Sequence, residues 1–307
     1  MTYNNQRIAY GETLVRLGRE NPDIVALEAD LGKSTMSFMF QESFPERYFE
    51  MGIAEANMTS TAAGLAQTGK IPFTHSFAVF SAGRAYDQIR QTIAIGNLNV
   101  KICGSSAGLS DFGDGSTHQA IEDMAIMRAI PNMTVLCPAD ANETVKAVEA
   151  MVEFKGPCYI RLNRNNYENV TAEDAPFAIG VPTILREGTD VVVFACGIMV
   201  GKALAAAEGL KEMLSVKVVN VSTVKPLDVE KIRKAAAGCK GAVTAEEHSV
   251  IGGLGSAVAQ ALADMPVPVA CIGVEDEFGC SSHDYEGLLA HYGLTTDVIV
   301  REIRKFA

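Results

Sequence analysis

The sequence runs to 307 residues, enough for two domains of ordinary size or one large one. It is 48% hydrophobic, and 26 Lys and Arg against 37 Asp and Glu leave a net charge of −11. That balance argues against nucleic acid or an anionic membrane as the main partner, while the apolar fraction supports sizeable cores. Residues 1–7 carry no apolar run behind their charge, so no secretory signal is expected. The longest apolar stretch, 191–200, is too short to span a bilayer. Seven cysteines form no Cys-x-x-Cys pair, and several lie in apolar runs such as Val-Val-Val-Phe-Ala-Cys196; they read as buried, reduced thiols of a cytoplasmic protein.

Strand-like and helix-like segments alternate along the chain. Strands are expected at 24–29, 100–103, 133–137 and 158–162, and helices at 54–67, 85–95, 119–128 and 144–153. Strands separated by helices of this length need crossover connections, hence a mainly parallel sheet covered on both faces. Periodicity lapses between 163 and 188, which reads as a linker with a short hairpin. A second series follows, with strands at 190–195, 216–221, 242–245 and 267–273 and helices at 202–213, 229–237, 255–263 and 285–291. The expected fold is α/β, two doubly wound domains at 1–165 and 188–307 with a linker at 166–187.

Two motif matches fail on inspection. Gly32-Lys33-Ser34-Thr35 follows a strand, but a phosphate-binding loop needs a glycine where this chain has Leu27. Gly113-Asp114-Gly115 with Asn142 imitates a metal-and-diphosphate signature, yet Asn142 reads as the start of the next helix. The stronger segment is the glycine-rich loop 105–119, in which Ser116-Thr-His-Gln119 fits a capping box. It would set Asp114 and His118 at the carboxyl edge of a parallel sheet, where ligands bind. Glu55 stands at a helix start among apolar residues, suited to the helix dipole or, with a shifted pKa, to proton transfer. His75, Phe77 and Phe80 could flank a flat ring, and core packing explains the two aromatics equally well.

Together these segments resemble the C-terminal half of a transketolase, the pyrimidine-binding domain followed by the C-terminal domain. The carrying pieces are Ala29-Asp30-Leu-Gly-Lys-Ser34, Gly52-Ile-Ala-Glu55-Ala-Asn57, Ser76-Phe77-Ala-Val-Phe80, Arg84-Ala-Tyr-Asp-Gln88, Gly113-Asp114-Gly-Ser-Thr-His118-Gln119 and Arg161-Leu-Asn-Arg164. Val243-Thr-Ala-Glu-Glu-His248 and Gly252-Gly-Leu-Gly255 extend the likeness into the second domain. The resemblance implies a thiamine-diphosphate enzyme acting on small sugars, split between two polypeptides. An N-terminal subunit would hold Mg²⁺ and the diphosphate, in an α2β2 assembly.

Within that resemblance Glu55 bonds the coenzyme's aminopyrimidine, and Phe77, Phe80, Arg84 and Asp30 complete its pocket. Asp114 and His118 read sugar hydroxyls, and His75 assists proton transfer. Ser34, Ser106 and Arg164 face the far end of the substrate. Ser106 stands where the family commonly has a histidine for the sugar phosphate. Two outcomes stay open: a sulfonate or uncharged terminus, or compensation by other basic residues. Two alternatives are the beta subunit of a 2-oxoacid dehydrogenase and a non-catalytic protein of the same fold.

Overall fold

The computed structural model describes residues 4–307; the expectations at residues 1–3 lie outside that range. Among the described residues twelve strands form two sheets. The first comprises β1 (Ile24–Glu28), β2 (Tyr48–Glu50), β3 (Ile71–Phe77), β4 (Lys101–Ser105), β5 (Thr134–Leu136) and β6 (Cys158–Arg161), joined by β10 (Thr223–Lys225). The second comprises β7 (Thr183–Arg186), β8 (Val191–Ala195), β9 (Val216–Asn220), β11 (Gly241–Ser249) and β12 (Val269–Val274). Their orders are β10-β5-β6-β4-β3-β1-β2 and β12-β11-β8-β9-β7. All pairs are parallel except β10–β5 and β7–β9. β1, β3, β4 and β6 are buried along their length, as strands covered by helices on both faces must be. One apolar cluster runs through both sheets, from Val25, Leu27 and Ile102 to Phe194, Val219 and Val258.

The structure departs from the sequence expectations at several points. Residues 85–95 are no uniform α-helix: wide π-helical turns at Phe80–Arg84 and Ile89–Ala94 flank a short α-helical turn, Tyr86–Gln88. Such turns are frequent at functional sites. The capping box at Ser116 does not form. Gly115–Thr117 is a 3₁₀ turn, Gly108 and Ala120 pair in an isolated bridge, and the helix begins only at Asp123. Extended backbone at Ala120 is incompatible with a helix start, and the Gln119 amide instead donates to the Asp111 and Cys280 carbonyls. The linker holds no hairpin of its own, since β7 pairs with β9. β10, from the second half of the chain, adds to the first sheet. The helices Gln6–Glu20 and Thr296–Arg304 and the strands β2, β3 and β10 were not anticipated. All seven cysteines are free, but Cys271 and Cys280 are exposed rather than buried.

Candidate active site

From β1 the chain runs outward to β2 and then returns to the other side of β1 as β3. This reversal makes a crevice at the carboxyl ends of β1 and β3, the usual ligand position of an open parallel sheet. The chain leaves β1 through Asp30, whose φ of +62° lies in the left-handed region that Asp tolerates. One carboxylate oxygen of Glu50 accepts from the Asp30 and Gly52 N–H groups, both at 2.9 Å, and so ties the β1 and β2 exits together. Gly52 turns at φ +69°, and Glu55 follows in the first turn of the helix Glu55–Gln67, where the dipole favours an anion.

Glu55 is only 4% exposed. Its Oε1 accepts from Arg84 Nη1 at 3.1 Å, and Oε2 has no partner among the described residues. Arg84 is half exposed, with its guanidinium carbon 4.2 Å from the Phe80 ring centroid. Phe80 lies near-parallel to Phe77, with centroids 6.2 Å apart and 15° between planes. His118 meets both rings edge-on, at 5.3 Å from Phe80 and 6.1 Å from Phe77. Its Nδ1 lies 2.9 Å from the Thr117 hydroxyl. A sheltered carboxylate with unspent capacity beside flat apolar rings fits a heteroaromatic ring that offers a nitrogen to the acid.

A second group lies beyond Phe77. The Arg164 guanidinium is 6.0 Å from the Phe77 centroid and pairs with Asp111 at 2.6 Å. Arg7 donates to the carbonyl oxygens of Ser34, at 2.6 Å, and Arg164, at 2.9 Å. Burial, with Arg164 nearby, pushes the Arg7 pKa down to about 10. Arg7 is a site residue that the sequence reading missed. The available signal was Asn5, which caps the helix Gln6–Glu20 by accepting from the Arg7 and Ile8 N–H groups and also donates to the Arg164 carbonyl. Ser106, at φ +53°, is fully buried, and its hydroxyl has no protein partner. The same holds for the Ser76 and Ser105 hydroxyls near the β3 and β4 exits.

The structure therefore brings Glu55, Arg84, Phe80, Phe77, His118, Arg164 and Ser34 into one strip. Asp30, at the β1 exit, and Asp114, on the loop before His118, are exposed. His75 is not part of it. It is fully buried in β3, with Nδ1 2.9 Å from the Leu27 carbonyl and Nε2 2.8 Å from the Tyr10 hydroxyl. Burial pushes its pKa down to about 4, which favours the neutral imidazole, and both ring nitrogens already have partners within the fold. Asn142 lies inside the helix Ala141–Glu153 and donates to the Thr171 carbonyl, away from Asp114.

The chain matches the model of the transketolase pyrimidine-binding domain over residues 4–170 and that of the transketolase C-terminal domain over 180–299. It is 45% identical to a protein named as a transketolase C-terminal section in Methanocaldococcus jannaschii, covering 98% of this chain and 96% of that one. It is 44% identical to a 6-deoxy-6-sulfo-D-fructose transketolase subunit of a Clostridium species, covering 96% and 92%. A solved split-gene transketolase, described as an inactive beta4 tetramer, superposes with a TM-score of 0.88 at 48% identity, covering 98% and 97%. Against human transketolase, 38% identical, the chain spans 48% of the longer protein.

Proposed function

This chain belongs to the transketolase family as a C-terminal subunit of the split kind, and from that premise we propose that it works with a separate N-terminal subunit in an α2β2 assembly. The reaction is transfer of a two-carbon ketol unit from a ketose to an aldose. Thiamine diphosphate dependence comes with the family, and when bound this coenzyme supplies a carbon nucleophile and an electron sink. The diphosphate and Mg²⁺ fall to the partner subunit. The relatives are transketolases and do not favour a 2-oxoacid dehydrogenase.

Each residue of the strip then has a task. Glu55 holds a proton at the aminopyrimidine nitrogen, and the apolar walls of Phe77 and Phe80 strengthen that hydrogen bond by excluding water. Arg84 holds the Glu55 carboxylate in place beforehand. Asp30 borders the same pocket. His118, between the aromatic rings and the loop, takes or gives a proton at a sugar oxygen, and Asp114 accepts from a sugar hydroxyl. Arg7, Arg164, Ser34 and Ser106 meet the far end of the sugar. The free thiols accord with a reducing, cytoplasmic setting, and among the described residues no helix is long and apolar enough to cross a membrane.

The observation that carries this reading is the sheltered, half-satisfied Glu55 carboxylate beside Arg84 and Phe80. The test is to assay the chain alone, the N-terminal subunit alone and their equimolar mixture with ketose and aldose pairs. Turnover only in the mixture is expected. Turnover by this chain alone, or a mixture that uses pyruvate but no ketose, would refute it.

A further inference from the structure

The structure assigns Asp111 as the residue that sets the charge of the substrate's far end, selecting ketoses that end in a single negative charge over those that end in a dianionic phosphate. This rests on the transketolase reading above and names the substrate class of that same site.

Three charged side chains converge there. Arg7 and Arg164 are close enough to depress the Arg7 pKa, and Asp111 acts on Arg7 in the opposite sense. Asp111 is 3% exposed and forms an ion pair with Arg164 at 2.6 Å, although its Oδ2 lacks an aligned hydrogen-bond donor. Two guanidinium groups and one carboxylate leave one net positive charge. Lys33, next to Ser34, is exposed to solvent, where screening weakens it. A phosphate monoester carries about −1.5 to −2 at neutral pH, whereas a sulfonate carries one charge. The dianion would have to share Arg164 with a buried carboxylate, placing like charges together where water screens them poorly.

The backbone around Asp111 is held in place, and Arg164 pairs with its carboxylate. The Ser110 hydroxyl donates to the Ala107 carbonyl at 2.6 Å, the Asn165 amide to the Ser110 carbonyl at 2.9 Å, and the Gln119 amide to the Asp111 carbonyl at 3.3 Å. Arg7 is likewise held by two backbone carbonyls. The cluster is pinned before any substrate arrives, as a discriminating site requires. The buried Ser106 hydroxyl, in a strained left-handed backbone, is a neutral group at the position where the family commonly has a histidine.

The test uses the reconstituted two-subunit enzyme with fructose 6-phosphate, 6-deoxy-6-sulfofructose and unsubstituted fructose, comparing the native chain with Asp111→Asn and Asp111→Ser. The native enzyme is expected to favour the sulfonate in kcat/KM over both other ketoses. Both variants should raise the phosphate-to-sulfonate ratio by roughly tenfold or more. A native preference for phosphate or for unsubstituted fructose, or a ratio that neither variant moves, would overturn the assignment. Thermal protection of the complex by methanesulfonate against methyl phosphate reads the same preference without turnover. Inactivity with every ketose would thus count against the transketolase reading, while the protection data still decide for or against Asp111.

Discussion

Charged side chains gather at strand ends in two places, and the two are built to opposite specifications. At the seam between the sheets, Arg161 is buried and its donors are spent. They go to Asp123 at 2.9 and 3.0 Å, to the Glu247 carbonyl at 3.2 Å and to the Ala120 carbonyl at 3.2 Å. Tyr159 donates to the same Asp123 at 2.7 Å. The Glu247 carboxylate accepts from the Leu109 N–H at 2.8 Å and the Asn163 amide at 3.1 Å. Gly108, at φ +64°, is needed there, because a Cβ would come within 2.6 Å of that carboxylate. In the crevice at β1 and β3, Glu55 has one partner, Arg84 is half exposed, and three serine hydroxyls near the β3 and β4 exits have no protein partner. Buried polar groups are normally satisfied. A saturated cluster therefore marks structure, and one with capacity left over marks a place for something else to bind.

This contrast predicts where substitutions act. The largest loss of stability should come from Arg161→Met, which strands the buried Asp123 carboxylate and costs about 3–5 kcal/mol in a denaturant titration. Next comes Glu247, which burial pushes up to about 7. Its folded pKa lies above its unfolded one, so its ionisation weakens the fold as pH rises through about 7. The stability of the native chain relative to Glu247→Gln should fall by on the order of 2 kcal/mol between pH 5 and pH 8. A difference independent of pH would show that this carboxyl does not titrate in that window.

Tyr10→Phe removes the donor to His75 Nε2 and should cost about 1–2 kcal/mol, while the reconstituted enzyme keeps its pH–rate profile. A changed profile would return His75 to the chemistry. The smallest effect on folding belongs to Arg84→Ala, which leaves the sheltered Glu55 carboxylate without its one partner but facing the crevice and should cost about 1 kcal/mol, while turnover of the complex should drop. If Arg84→Ala destabilised the fold as much as Arg161→Met, the distinction between the two regions would fail.

Much of this architecture was legible in the sequence, because buried parallel strands are apolar runs and the helices between them are periodic. Residues 24–29 and 158–162 fall within one residue of β1 and β6. β3 was not seen as a strand although it is central, since Pro72, Thr74, His75 and Ser76 break the apolar run and are accommodated only by distant partners such as Tyr10. β10 escaped for a related reason: three residues form a strand only because β5 lies alongside them. In the crevice Glu55, Phe80, Arg84 and Arg164 were each identified, but not their pairings. Arg7 had only the Asn5 helix cap as a local signal and Asp111 had none, as their side-chain partners are more than 25 and 50 residues away in the chain. Long-range electrostatics of this kind is set by the fold.

The central claim is that the Glu55 carboxylate serves the coenzyme's ring in a site that a second subunit completes. The most direct measurement is ketol transfer by the reconstituted complex carrying Glu55→Gln, beside thermal stability and subunit association of the same sample. Turnover should fall by about 10²- to 10⁴-fold with folding and assembly unchanged. Turnover at the native rate in a correctly assembled complex would contradict the role assigned to this residue.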